Sequence, residues 1–265
     1  MSAPVVPQAL TDAARLRRDG RLHDAVAVVV SALADARATP FDMPFRDRVL
    51  LGLALADLYL QTDRQDSART LLAEEVVFAE TVLALIQQDG SPDQVRAATA
   101  GCHQLRDRAV QVDLLGRSAP EIEVAEWVVG QPTTLAEQRG RVVMLEFWAR
   151  SCRSCVAMLP ALSDLHDRYH KHGLTILALT RYGPSDDVPI AERAHERDMI
   201  RQISADQSLE FAVGIAADGG LQQRYGATGI PTFAIIDRAG IVRLASSIPD
   251  KPKMEKLIAD LLDEG

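Results

Sequence analysis

Arg141-Val142-Val143-Met144-Leu145-Glu146-Phe147-Trp148-Ala149-Arg150-Ser151-Cys152-Arg153-Ser154-Cys155 carries an apolar run straight into two cysteines separated by two residues. Residues 141–148 predict a buried strand, and helical spacing from Cys155 through Tyr169 predicts a helix, so Cys152 falls at the strand-to-helix turn. There the unpaired N–H groups of the first helical turn point at the sulfur. With the positive end of the helix dipole they favour thiolate over thiol, and Arg150 and Arg153 add positive charge. Cys152 is therefore expected to be a nucleophile of lowered pKa. Cys155, one turn further on, is placed to attack a mixed disulfide on Cys152 and release the reduced partner. The chemistry implied is dithiol–disulfide exchange.

Further along, Gly229-Ile230-Pro231-Thr232-Phe233 sets a proline directly before the apolar run Thr232–Ile236. Proline cannot donate to a strand ladder, and a cis Ile230-Pro231 bond supplies a reason for its presence. With these two segments stand Ser118–Ile122, Leu135–Gly140, Phe147-Trp148-Ala149, Leu159-Pro160 and Ile236-Asp237-Arg238-Ala239-Gly240. In that ordered set the chain resembles the thioredoxin fold, and more narrowly the TlpA/ResA-like thiol–disulfide oxidoreductases, over residues 117–265.

The resemblance implies an enzyme whose cis-proline loop packs against the cysteine pair. The backbone of Ile230 at Pro231 would align an extended partner segment, with Trp148, Arg153 and Ser154 on the substrate-facing surface. It implies no cofactor other than the redox-active disulfide Cys152–Cys155. Three departures from the family pattern stand out: Ser151 replaces a tryptophan, Ser154 a proline, and Met158 a glutamate. Residues between the cysteines tune thiolate stability, so Arg153-Ser154 leave the direction of electron flow open.

Glu146 interrupts the apolar run where thioredoxins carry a buried acid beneath the disulfide. Desolvation there would raise its pKa and let it take the proton of Cys155. The competing reading is a glutamate at the edge of a strand, facing water. Alternation sets Met144, Glu146 and Trp148 on one face and Val143, Leu145 and Phe147 on the other, which leaves both readings standing.

Composition bounds the remaining functions. Of 265 residues 47% are hydrophobic and 25% charged, ordinary for a soluble globular chain, and the net charge of −8 argues against a nucleic-acid partner. No apolar run reaches membrane-spanning length, so no membrane span is expected. The start, Met1–Pro7, has neither a basic segment nor an apolar run of signal-peptide kind, which predicts a cytoplasmic protein; an exported location would require a leader already removed. Three cysteines suit a reactive pair plus Cys102, read as a small buried apolar residue in a helix. His166, His170 and His172 read as a solvated helix face, and no metal is expected. A peroxidase of the peroxiredoxin kind is disfavoured, because Leu145 and Ala149 occupy the places of its Pro and Thr/Ser before the cysteine. Tyr182–Asp187 reads as a loop rimming the site.

Residues 1–116 differ in texture. Ala- and Leu-rich helical spacing is broken at Asp19-Gly20, Thr39 to Pro44, Thr62-Asp63 and Asp89–Pro92, which predicts about five helices. Two stretches, Leu16 to Leu33 and Tyr59 to Leu72, resemble tetratricopeptide-type helix hairpins with Ala25 and Ala68 in corresponding places, 43 residues apart. An irregular helical bundle is the equal alternative. The predicted organisation is an all-α hairpin domain at 1–116, serving to dock protein partners that carry a dithiol or disulfide, followed at 117–265 by an α/β thioredoxin-like mixed sheet flanked by helices. In that second part the pattern predicts a small hairpin over Trp127–Thr134, a strand over 141–148 and a helix over 153–171 kinked at Pro160. Strand Leu174–Leu179, a helix over 188–205, strand Phe211–Ile215 and a helix through Leu221–Tyr225 follow. Strands Thr232–Ile236 and Ile241–Leu244 and a helix from Pro252 complete it. A contrasting function is a redox-sensing binding module, in which the cysteine pair gates docking by the helical part.

Overall fold

The computed structural model describes residues 7–39, 42–183, 189–247 and 250–264. The chain divides into two compact units, Met1–Val112 and Asp113–Gly265.

Five helices make up the first stretch: α1 (Gln8–Arg18), α2 (Leu22–Ala38), α3 (Phe45–Gln61), α4 (Gln65–Asp89) and α5 (Pro92–Leu114). α1 and α3 end in the same way. Gly20 and Asp63 take positive φ, 75° and 56°. Behind them the Arg21 amide donates to Leu16 O at 2.9 Å and the Arg64 amide to Tyr59 O at 2.8 Å. Each is a Schellman turn that satisfies orphan carbonyls and folds the next helix back; glycine takes the left-handed position without strain, and aspartate tolerates it. Ala25 and Ala68 are both fully buried in the hairpins that follow, next to Val29, Leu33, Leu55 and Leu72. Charged groups also enter this core, among them Glu75 and Arg48. Glu75, 1% exposed, accepts from Arg37 Nη2 at 2.7 Å and Arg48 Nε at 2.8 Å, while the Arg48 guanidinium lies 3.3 Å from the centre of the Phe78 ring. Cys102 is buried, and burial pushes its thiol pKa up.

The second unit is built on a six-stranded mixed sheet in the order β1-β4-β3-β2-β5-β6, with β1 (Val124–Val129), β2 (Val142–Phe147), β3 (Leu174–Thr180), β4 (Ala212–Ala216), β5 (Thr232–Ile236) and β6 (Val242–Ser246). β2 runs parallel to β3 and antiparallel to β5, so it is an interior strand, and all of its residues are buried. A Val/Met/Leu/Phe run broken by the single Glu146 is what a strand covered on both faces leads one to find. Helices α6 (Arg153–Val156), α7 (Leu159–Tyr169), α8 (Ile190–Asp206), α9 (Gly220–Arg224) and α10 (Lys251–Asp263) flank the sheet. Leu159, Leu162 and Leu165 of α7 and Met254, Ile258 and Leu261 of α10 close over Val142, Met144, Leu174, Ile176 and Ile235.

Two local expectations are corrected. Trp127–Thr134 is not a hairpin: its strand residues belong to β1, which pairs antiparallel with the distant β4. Gly130, at φ 79°, turns the chain out of the ladder where a Cβ would stand only 3.0 Å from that of Ala212. The helix over 153–171 is also not a single kinked rod. It is broken after α6, and Pro160 sits in the first turn of α7, where its missing N–H leaves no bond unmade. Residues 184–187 of the expected rim loop lie outside the described residues. Among the described residues no helix is long and apolar enough to cross a membrane.

Candidate active site

β2 delivers Trp148 through Ser151 off its carboxyl end to Cys152, which caps α6. Cys152 and Cys155 form a disulfide. The Cys155 amide donates to Cys152 Sγ at 3.2 Å, and the Ser154 hydroxyl lies 3.3 Å from the same sulfur. Cys152 is half-buried whereas Cys155 is fully buried, so an incoming thiolate meets Cys152 first.

The electrostatics differ from expectation in two respects. α6 is a single turn and α7 begins afresh at Leu159, so few aligned peptide dipoles stand behind Cys152. What remains is local donation by the Cys155 amide. Arg150 is also not a free charge: its Nε donates to Glu196 Oε1 at 3.2 Å, and Glu196 Oε2 accepts from the Gly183 amide at 2.8 Å. Arg153 is exposed.

Glu146 lies opposite Ala178 of β3 and Phe233 of β5, with 0% exposure and no hydrogen-bond partner for either carboxylate oxygen. The interior position of β2 overturns the water-facing reading. Desolvation raises its pKa from 4.5 to about 8. Met144 and Trp148, its neighbours on the same face of the strand, pack in the core cluster that contains Cys155. The acid therefore shares the side of the sheet on which the buried sulfur sits.

The Ile230-Pro231 bond is cis. Because Phe147 pairs with Thr232, the next residue on each side of that pair brings Pro231 alongside Trp148 at the end of β2. Thr232 Oγ1 donates to Gly229 O at 2.6 Å and holds the loop. Ile230 stays 37% exposed, an apolar side chain presented to solvent in the loop before β5. Trp148, by contrast, is 2% exposed, and Trp148, Ser151 and Ile230 share in lining a cleft of about 460 Å³. Ser154 thus lies beside Cys152, Trp148 and Ile230 share a cleft with Ser151 just before it, and Arg153 is exposed.

Sequence reading missed Glu196 and Gln222, both lining the cleft. Each lies in a separate helix with no local motif to single it out. His166 and His170 stack at 4.6 Å, and among the described residues no group of three or more His, Cys, Asp or Glu side chains is placed to hold a metal ion.

Residues 115–245 match the family model described as AhpC/TSA family. Among curated relatives, the thiol-disulfide oxidoreductase ResA of Bacillus thuringiensis subsp. konkukian (strain 97-27) is 28% identical over 128 residues, covering 48% of this chain and 66% of that protein. The thiol-disulfide oxidoreductase ResA of Geobacillus thermodenitrificans (strain NG80-2) is 29% identical over 129 residues, covering 49% and 67%. The chain thus spans only part of the length of the curated relatives it matches. Among solved structures, the thioredoxin-like superfamily protein SPOA0173 is similar at a TM-score of 0.46 and 22% identity, covering 56% of this chain and 97% of that one. A thiol-disulfide isomerase from Corynebacterium glutamicum is similar at 0.47 and 18% identity, covering 57% and 98%.

Proposed function

We propose that this protein is a thiol–disulfide oxidoreductase that exchanges disulfides with protein partners through Cys152 and Cys155, a reading supported by the match of residues 115–245 to the AhpC/TSA family model. The observation that supports the reading is the asymmetry of the disulfide, with Cys152 half-buried and Cys155 fully buried, and with the partnerless Glu146 carboxylate in the same core.

In the reducing direction, the Cys152 thiolate attacks one sulfur of a partner disulfide. The partner's S–S bond breaks, a mixed disulfide forms, and the partner's other sulfur leaves as a thiolate that takes a proton. Cys155 then gives its proton to the Glu146 carboxylate and attacks Cys152 Sγ. The Cys152–Cys155 bond closes, the partner leaves as a dithiol, and two electrons have passed from the pair to the partner. In the oxidising direction every step reverses, and protonated Glu146 supplies the proton to Cys155 as that sulfur departs. A pKa of about 8 lies close to that of an ordinary thiol, so the transfer is nearly balanced in both directions. Ile230 and Pro231, with Trp148, Arg153 and Ser154, form the surface on which the partner segment lies. No cofactor besides the disulfide takes part.

The helical unit serves to dock those partners in this reading. Two hairpins of one design, closed by matching turns and small buried alanines, support a tetratricopeptide-like module. A groove of about 490 Å³ lined by Val30, Leu33, Arg37, Tyr59 and Leu71 offers a mixed apolar and charged surface for it.

The test is turnover and trapping. Catalytic reduction of a model protein disulfide, abolished in Cys152→Ser, is expected. Cys155→Ser should leave Cys152 covalently joined to its partners, for identification by mass spectrometry. Reduction that stays stoichiometric while partner affinity changes with redox state would replace this reading with a redox sensor.

A further inference from the structure

One carboxylate from α8 holds both segments that leave the carboxyl ends of β2 and β3. After β2 the chain turns at once: the Cys152 amide donates to Ala149 O at 3.0 Å, so Arg150 and Ser151 are the two central residues of a closed turn whose last residue is Cys152. Glu196 reaches that turn from the side. Its Oε1 accepts from Arg150 Nε at 3.2 Å, its Oε2 accepts from the Gly183 amide at 2.8 Å in the segment that follows β3, and its side chain is only 15% exposed. Each oxygen is thus committed to one segment. Charge-assisted contacts to a carboxylate largely withdrawn from water hold their partners more firmly than a surface ion pair does.

Resting on the thiol-exchange reading above, we propose that Glu196 is a positioning residue for Cys152: by holding Arg150 against α8 it fixes the turn that presents the sulfur and withholds the guanidinium from the thiolate. Arg150 stands two residues before Cys152 in the same turn. Released, its guanidinium is free to swing toward the sulfur and stabilise the anion. Held, it leaves that work to the Cys155 amide at 3.2 Å and the Ser154 hydroxyl at 3.3 Å. A thiolate stabilised less is the stronger nucleophile but makes up a smaller fraction of the thiol at neutral pH, so the Glu196 contact sets the rate at which Cys152 opens a partner disulfide. Arg181 lines the same cleft as Arg150 and Glu196, and Arg153 is exposed next to Cys152 in the chain; both stay in place in every variant below, so neither contributes to the differences among them.

The experiment follows alkylation of Cys152 against pH in the full-length reduced protein, with mass spectrometry to locate the modified cysteine and circular dichroism to verify folding, in the wild type, Glu196→Gln, Arg150→Gln and the double variant. Glu196→Gln should move the midpoint of the profile to lower pH and speed alkylation below that midpoint about threefold, whereas Arg150→Gln alone should not lower it. In the Arg150→Gln background, Glu196→Gln should change the rate by less than about 1.5-fold, because the carboxylate acts through the guanidinium. An unmoved midpoint in folded Glu196→Gln protein overturns the proposal. So does an equal shift with and without Arg150, which would mean that the carboxylate acts on the sulfur directly. The measurement needs no partner protein, so absence of turnover on protein disulfides would remove the exchange reading separately and leave the alkylation result standing.

Discussion

Replacing Glu146 with Gln should make the second unit more resistant to alkali, and the size of the gain follows from burial. Ordinary glutamate ionises near 4.5, but this one, fully buried and without a hydrogen-bond partner, holds its proton until about pH 8. Between those values the native state keeps a proton that the unfolded chain has released. Stability from this group is therefore complete below pH 4.5 and drains away as pH rises, until both states are ionised above about 8. At about 1.4 kcal/mol for each pH unit crossed, the span corresponds to an upper bound on the order of 5 kcal/mol. Gln is nearly isosteric with the protonated acid and cannot ionise. Glu146→Gln should then match the wild type within about 1 kcal/mol at pH 5 and exceed it by several kcal/mol at pH 9. Guanidinium unfolding of the oxidised protein at pH 5, 7 and 9 measures this. Tryptophan fluorescence isolates the relevant unit, because both tryptophans, Trp127 and Trp148, lie within it. Parallel pH dependence in the two proteins would refute the buried-acid reasoning.

Removing the Ser154 hydroxyl, 3.3 Å from Cys152 Sγ, deletes a donor to the thiolate; Ser154→Ala should slow alkylation of the reduced protein at pH 7 by about threefold, and an unchanged rate would mean that the hydroxyl does not support the anion. In the helical unit, Glu75→Ala leaves the buried Arg48 guanidinium without its carboxylate, and breaking such a pair should cost about 3–5 kcal/mol. Thermal melting followed by far-ultraviolet circular dichroism measures it, and a melting temperature within a degree or two of the wild type would show that the cluster contributes nothing.

What could be read from the chain alone was whatever depends on neighbours a few residues away. Gly20, Thr62-Asp63 and Asp89–Pro92 punctuate the five helices because turn and capping chemistry is local. The strand Thr232–Ile236, the cysteine pair at a strand-to-helix turn and the proline before β5 are likewise signals of spacing and backbone restriction. Tertiary structure decided everything that depends on what arrives from elsewhere. The alternation around Glu146 allowed two faces, and only the pairing of β2 between β3 and β5 removed its water. β1 found its partner far along the chain in β4 rather than in its own turn. Arg150 was neutralised by Glu196 from α8, and Gln222 on α9 came to line the same cleft as Trp148 on the far side of the sequence. Local propensity has a range of one turn or one pleat; desolvation, strand register and ion pairing are set by the elements that fold against a residue, and no short window of sequence contains them.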